Sequence, residues 1–225
     1  MHEKDTPTLQ TQAYEALRRA LVFSRYKPGE RLVPKRLCEE LGLGRTPVRE
    51  ALVLLQQQGL VSTVPQSGTY VSKIDMRACE DARFARECLE RQVVIECCAK
   101  ATKADIAGID AIIAQQEKAV VAADELAFFE FDNLMHETFF IIADRAPLWD
   151  WLNMGNVHYE RFRWLAVLTS GVEWDVVMDQ HHKIRDAIAA HDTNEASYLT
   201  SRHLRKAHID YHPISVSHPE YFTEG

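Results

Sequence analysis

Leu9, Ala13, Leu17, Ala20 and Leu21 recur at three- and four-residue spacing, which predicts an amphipathic helix near the start of the chain. Tyr26-Lys27-Pro28-Gly29-Glu30 breaks it with a turn signal. A short helix follows from about Pro34, with Leu37 and Leu41 on one face and Gly42 as its stop. Pro47 suits the first turn of a third helix, because its missing N–H costs nothing there. Val48, Leu52 and Leu55 face inward along that helix, and Gly59 ends it. Leu60 to Val64 and Thr69 to Ser72 read as short strands flanking the turn Pro65-Gln66-Ser67-Gly68. Helix, helix, turn, helix, hairpin is the order of a winged helix-turn-helix.

From Asp75 onward the periodicity is helical and breakers are few. Helices are predicted near 76–101, 103–122, 124–143, 147–168, 173–190 and 194–211. Asp105, Asp124 and Asp192 sit at or near helix starts, where a carboxylate satisfies unpaired N–H groups. No strand pattern appears, so an all-helical bundle is expected. The chain therefore reads as mainly α. The expected divisions are a winged helix-turn-helix head over 1–74, an all-helical body over 75–215, and a tail over 216–225, with the chain fraying beyond Pro213.

Composition narrows the class. With 225 residues, 46% hydrophobic and 26% charged, the chain is an ordinary globular protein with room for two domains. The longest apolar runs, such as Phe139 to Ala143, are too short to span a membrane. Met1 to Asp5 lack the apolar core of a signal peptide. Five cysteines, an odd number with no C-x-x-C spacing, read as reduced thiols in a cytoplasmic protein. Charge is uneven: residues 1–74 carry 11 Lys+Arg and 7 Asp+Glu, net +4, which leaves 15 and 26, net −11, for the remainder of the overall −7. A basic head on an acidic body points to a polyanion as the head's partner.

Arg45 and Arg49 are four apart and share a face of the third helix with Thr46, opposite Val48, Leu52 and Leu55. Such a helix can lie in a major groove, where arginine donates two hydrogen bonds to guanine O6 and N7. Lys35 and Arg36, at the start of the preceding helix, can meet phosphates. Gly68 and the adjoining Thr69 form a wing that can approach the duplex. The plainer alternative is that Arg45 and Arg49 are solvated surface residues paired with Glu50 or Glu39.

Residues 10–73 resemble the GntR family of bacterial transcription regulators. The resemblance rests on Pro28-Gly29-Glu30-Arg31-Leu32, Leu41-Gly42-Leu43, Arg45-Thr46-Pro47-Val48-Arg49-Glu50-Ala51-Leu52, Gly59-Leu60-Val61 and Gly68-Thr69-Tyr70-Val71. It implies a homodimer on a short palindromic operator in double-stranded DNA, with contacts at Lys35, Arg45, Arg49 and the Gly68 wing. Gly44 stands where the family usually has Ser or Thr, which removes a helix N-cap. Lys35 stands where some members have Arg, which removes a bidentate contact.

In the helical region, Asp132 and His136 are four apart and point the same way. By spacing alone they are an ordinary chance pair among ten histidines. Residues 79–208 resemble the FCD ligand-binding domain of the FadR subfamily, on Arg86 with Leu89-Glu90, Asp132 with His136, His181 with Ile184 and Asp186-Ala187-Ile188, and His203-Leu204. The resemblance makes Asp132, His136, His181 and His203 ligands of a divalent metal; three imidazoles and a carboxylate suit zinc or nickel. His182 is the nearest rival to His181 but is out of register with the Ile184 and Ile188 face. Arg86, by the same resemblance, is a candidate to hold an effector carboxylate, and Arg161 or Arg163 can do the same. The alternative for Arg86 is an intrahelical pair with Glu90.

The expectation is a transcription repressor whose operator affinity is set by a small organic or sugar acid bound at a metal-containing helical pocket. A metal-stabilised dimeric regulator without an effector is the alternative. A helical-bundle metalloenzyme is disfavoured: no histidine has Glu three residues before it, and no nucleophile elbow, phosphate loop or dinucleotide fingerprint is present. No catalytic residue is assigned.

Overall fold

The Thr8 hydroxyl accepts from the Thr11 N–H and starts α1 (Leu9–Val22), which buries Ala13, Leu17 and Leu21. The computed structural model describes residues 7–169, 173–209 and 211–223; the expectation for Met1 to Asp5 and the last two residues of the expected tail lie outside them. α2 (Pro34–Leu41) ends on Gly42, whose φ of 64° lies in the left-handed region. α3 (Arg45–Gln57) buries Val48, Ala51, Leu52 and Leu55. Its N-cap, Gly44, makes no side-chain cap bond, as expected from a residue without a side chain. β2 (Val61–Val64) and β3 (Gly68–Val71) form the hairpin, and a two-residue strand not read from the sequence, β1 (Arg31–Leu32), pairs with the other edge of β3. The head is a winged helix-turn-helix.

Asp75 caps the N–H groups of Arg77 and Ala78 and starts the long α4 (Met76–Lys100). Thr102 and Asp105 form a capping box at the start of α5 (Lys103–Ala122). Asp124 caps α6 (Glu125–Ile142), and Asp192 accepts from Glu195 ahead of α10 (Thr193–Ile209). Between them run α7 (Ala146–Gly155), α8 (Val157–Leu168) and α9 (Trp174–Ala189). Their shared core runs through Val94, Cys97, Ile109, Phe139, Phe140 and Ile184. All five cysteines are free thiols. No described helix is long and apolar enough to cross a membrane.

Two expectations are corrected. The single helix expected over 147–168 is two, broken at Gly155-Asn156, both poor helix formers. The break lets Val157 enter the core of the head. The tail expected to fray is packed: α11 (Tyr211–Ser217) and a 3-10 turn (Pro219–Tyr221) bring Ile214, Tyr221 and Phe222 against Ile74, Tyr159 and Phe162. Ile74 N–H donates to Tyr221 O at 2.7 Å and Thr223 N–H to Ile74 O at 3.0 Å, so the tail joins the chain where head meets body.

Candidate functional site

On α3, Arg45, Thr46 and Arg49 are all exposed, and neither arginine forms an ion pair with Glu50 or Glu39. Lys35 is exposed on α2, 4.0 Å from Glu39. Arg36 is differently placed. Its Nε donates to Glu40 at 2.7 Å, its Nη1 lies 3.6 Å from Glu30, and its guanidinium covers the Tyr26 ring. That commitment holds the turn before α2 together and leaves Lys35 as the projecting cation. At the wing, a Cβ on Gly68 would lie 2.8 Å from Arg31 Nε, so Arg31 lies across the wing and joins the candidate DNA face. Sequence spacing missed Arg31, because only the β1–β3 pairing brings it there.

In the body, one ligand atom from each of Asp132, His136, His181 and His203 lies within 4.8 Å of the others. The residues come from α6, α9 and α10. Each imidazole is oriented through Nδ1: His136 onto Glu90 at 2.6 Å, His181 onto Gln116 at 3.0 Å and His203 onto Gln180 at 2.9 Å. Each acceptor oxygen fixes the proton on Nδ1 and turns the Nε2 lone pair inward. His136 and His203 Nε2 are 3.2 Å apart. His181 Nε2 is fully buried without a hydrogen-bond partner, 3.3 Å from Asp132 Oδ1. His182 points away to Glu117 and is half exposed.

Burial holds His136 below its ordinary value despite Glu90, and it holds His203 well below. Burial would raise the Asp132 carboxyl, but Arg163 and the histidines keep it well below the usual carboxylate range. At neutral pH the cluster therefore holds the neutral imidazoles of His136 and His203 beside the Asp132 carboxylate. Lone pairs facing one another with no shared proton are the donor set a divalent first-row ion fits.

Beside the cluster is a cavity of about 90 Å³. Arg86, Arg163, Asp132, His136, His203 and Lys206 supply charged and polar groups to its lining. Arg86 is 1% exposed. Its Nε pairs with Glu90, while Nη1 and Nη2 are buried without partners. Burial opposes its charge, but Glu90 outweighs burial and keeps it protonated. The intrahelical pair with Glu90, the alternative expected for Arg86, is present; it uses one nitrogen and leaves two. Arg163 pairs with Asp132, donates to Asn133 at 2.7 Å and stacks over Phe129.

Arg161 does not belong with them. It is not among the residues lining the cavity; its Nη1 donates to Ser72 O at 2.8 Å, and burial lowers it to about 10. The helical repeat explains this. Val157, His158, Arg161 and Trp164 lie on the side of α8 that meets the head, whereas Tyr159, Phe162, Arg163 and Ala166 line the cavity. The head grips that first side through Arg18–Glu160, and through Phe23, whose ring meets Trp164 and Phe129 edge-on at 4.8 and 5.6 Å. Arg19 adds an ion pair to Glu130 at 2.5 Å. Phe129 is also a cavity wall. Gln116, Gln180 and Phe23 were not singled out from the sequence; Glu90 was, as the intrahelical partner of Arg86, but not as the acceptor that orients His136.

A winged head with an exposed basic helix, docked on a helical body, defines a DNA-binding transcription regulator rather than an enzyme. Residues 9–71 match the bacterial regulatory proteins of the gntR family and residues 81–206 match the FCD domain. The chain belongs to the GntR family and has its FadR-type architecture. It is 29% identical over 236 aligned positions to an HTH-type transcriptional regulator in an unstable DNA locus of Streptomyces ambofaciens, covering 99% of this chain and 93% of that protein. It is 26% identical over 219 positions to the HTH-type transcriptional repressor RspR of Escherichia coli K12, covering 97% and 96%. The solved structure of E. coli McbR/YncC shares the fold, with a TM-score of 0.80 at 21% identity over 92% of this chain and 98% of that one.

Proposed function

We propose that this regulator is a homodimeric repressor whose operator affinity is controlled by a small carboxylate bound at the α4–α6–α10 cavity. The observation that carries this reading is Arg86, whose two terminal nitrogens are buried, charged, unpartnered and aimed at a cavity. Leaving two buried donor nitrogens of a cation unpaired is costly, and a carboxylate supplies two acceptors in matching geometry. Asp132, His136, His181 and His203 would hold zinc or nickel beside it; such an ion offers a Lewis-acidic point for a carboxylate oxygen. Arg45, Thr46 and Arg49 would read a half-site in the major groove, with Lys35, Gly68 and Thr69 on the backbone. In a dimer the two reading helices would stand about 34 Å apart, one turn of DNA.

The coupling route follows from α8. One side lines the cavity and the other seats the head, so a ligand that shifts Arg163 or Phe129 alters the seat of Phe23. A ligand controls DNA affinity only as far as it binds the two arrangements differently, typically by about 1–3 kcal/mol. Titrating small carboxylates into an operator-shift assay tests this. Release of DNA by an acid, lost in Arg86→Gln, is expected; no effect of any carboxylate overturns the effector. The orphaned His181 Nε2 equally favours a metal that only pins α6, α9 and α10 together. Metal analysis with thermal shifts in organic acids separates that reading.

A further inference from the structure

The head carries one more unanswered cation, away from α3. Arg18, Arg19, Arg25 and Arg36 are each held by a glutamate. Arg31, Arg45 and Arg49 are exposed and form no ion pair among the described residues. Glu30, the chain neighbour of Arg31, is turned instead to Arg36 and to the Lys27 N–H.

The wing fixes where the Arg31 charge lies. Arg31 stands opposite Tyr70 in the β1–β3 ladder, and the Tyr70 hydroxyl meets Ser67 Oγ in the turn at 2.6 Å. At Gly68 the guanidinium takes the space of a side chain: a Cβ there would lie 2.8 Å from Arg31 Nε and 3.4 Å from Nη2. The hairpin is tied in turn to the end of α3. Thr63 Oγ1 donates to Gln56 Oε1 at 2.8 Å and lies 3.2 Å from Thr69 Oγ1. Arg31 therefore has a set place relative to Arg45 and Arg49. The four residues of β2 span about 13 Å, close to the roughly 12 Å width of a major groove. A hairpin braced beside a helix in that groove meets the flanking phosphate ridge and then the minor groove.

Resting on the half-site reading above, we propose that Arg31 enters the minor groove beside each half-site and selects A·T pairs there, with Gly68 giving its guanidinium room. A run of A·T pairs narrows the minor groove and deepens its negative potential, which draws in an arginine. A G·C pair puts the guanine N2 amino group in that groove, a donor facing a side chain that also brings only donors. Lysine is the poorer substitute, because an ammonium is more strongly hydrated than a guanidinium. The selected pairs lie outside the bases that α3 reads.

Duplexes selected from a random-sequence library by the full-length protein test this, with affinities measured by fluorescence anisotropy at fixed salt. The selected duplexes are expected to carry A·T pairs beside each half-site. Changing those pairs to G·C should weaken binding by about fivefold or more. Changing them to inosine·C, which keeps the major-groove pattern of G·C but lacks the N2 amino group, should restore it. Arg31→Ala should bind all three flanks alike, and Arg31→Lys should narrow the preference, while Arg45→Ala should keep it at lower affinity. Gly68→Ala should also narrow it. Because φ of 146° at Gly68 strains any side chain, the same change is made in Arg31→Ala, where it should leave the flank ratio unaltered. Inosine·C bound as weakly as G·C, a wild type indifferent to the flank, or a loss in Arg31→Ala equal on every flank overturns the proposal while the α3 reading stands. If neither Arg31→Ala nor Arg45→Ala changes affinity for any duplex, this inference falls together with the half-site reading.

Discussion

Arg86→Met removes the cation from one of the most buried ion pairs in the protein. Arg86 and Glu90 are 1% and 0% exposed. Glu90 uses one oxygen on Arg86 Nε and the other on His136 Nδ1 at 2.6 Å. Without Arg86, a carboxylate remains in the core with one N–H donor. Leaving a buried charge uncompensated costs about 3–5 kcal/mol, a large share of a total of roughly 5–15 kcal/mol. The guanidinium also covers Trp149 and Tyr159 at 5.3 and 5.9 Å, but methionine restores part of that contact. Urea denaturation in EDTA, followed by circular dichroism, measures the loss. Arg86→Met/Glu90→Met is expected to recover most of it, because an apolar pair of similar volume often replaces a buried ion pair without loss.

The pH dependence has a definite sign. Burial pushes the Glu90 carboxyl up, but Arg86 and His136 outweigh it and bring it down to about 2 from an ordinary 4.5. Its contribution is therefore complete above about pH 4.5 and fades as pH falls towards 2. In Arg86→Met burial loses its main opponent, so the folded protein binds a proton more readily and the deficit shrinks between pH 7.5 and pH 5. A cost below about 1 kcal/mol, a deficit equal at both pH values, or a double variant no better than the single one refutes the reasoning.

Zinc at 100 times its dissociation constant is expected to stabilise the protein by about 2.7 kcal/mol in a thermal or urea scan; His203→Gln should abolish most of that gain, and an equal gain in the variant refutes the cluster as the site. Arg45→Ala should weaken operator binding by about 1–3 kcal/mol and relax base preference, read by gel shift on operator and mutated operators. Lys35→Ala should lower the slope of log affinity against log salt by about one with little change in base preference. Phe23→Ala removes the ring seated between Phe129 and Trp164; it should leave DNA affinity near wild type while blunting the response to a releasing acid. A full response in that variant removes the Phe23 seat from the coupling route.

Sequence periodicity by itself determined the local architecture. The winged head followed from apolar spacing, the Gly42 stop, the Pro47 start and the hairpin turn, because each depends on contacts within a few residues. Asp105, Asp124 and Asp192 marked helix starts for the same reason. The four-residue interval placed Asp132 and His136 on one face, and likewise Arg45 and Arg49. Tertiary packing decided the rest. His181 and His203 meet that face only because α9 and α10 pack against α4 and α5, and three neighbouring acceptors turn their rings and that of His136 inward. Arg161 and Arg163 looked equivalent in the sequence; the rotation of α8 sent one to the head and the other to the cavity. The tail is ordered because Ile214, Tyr221 and Phe222 find apolar partners at the junction of head and body. Propensity acts along the chain over one helical turn, whereas burial joins residues with no regard to their separation, so the elements were legible and their convergence was not.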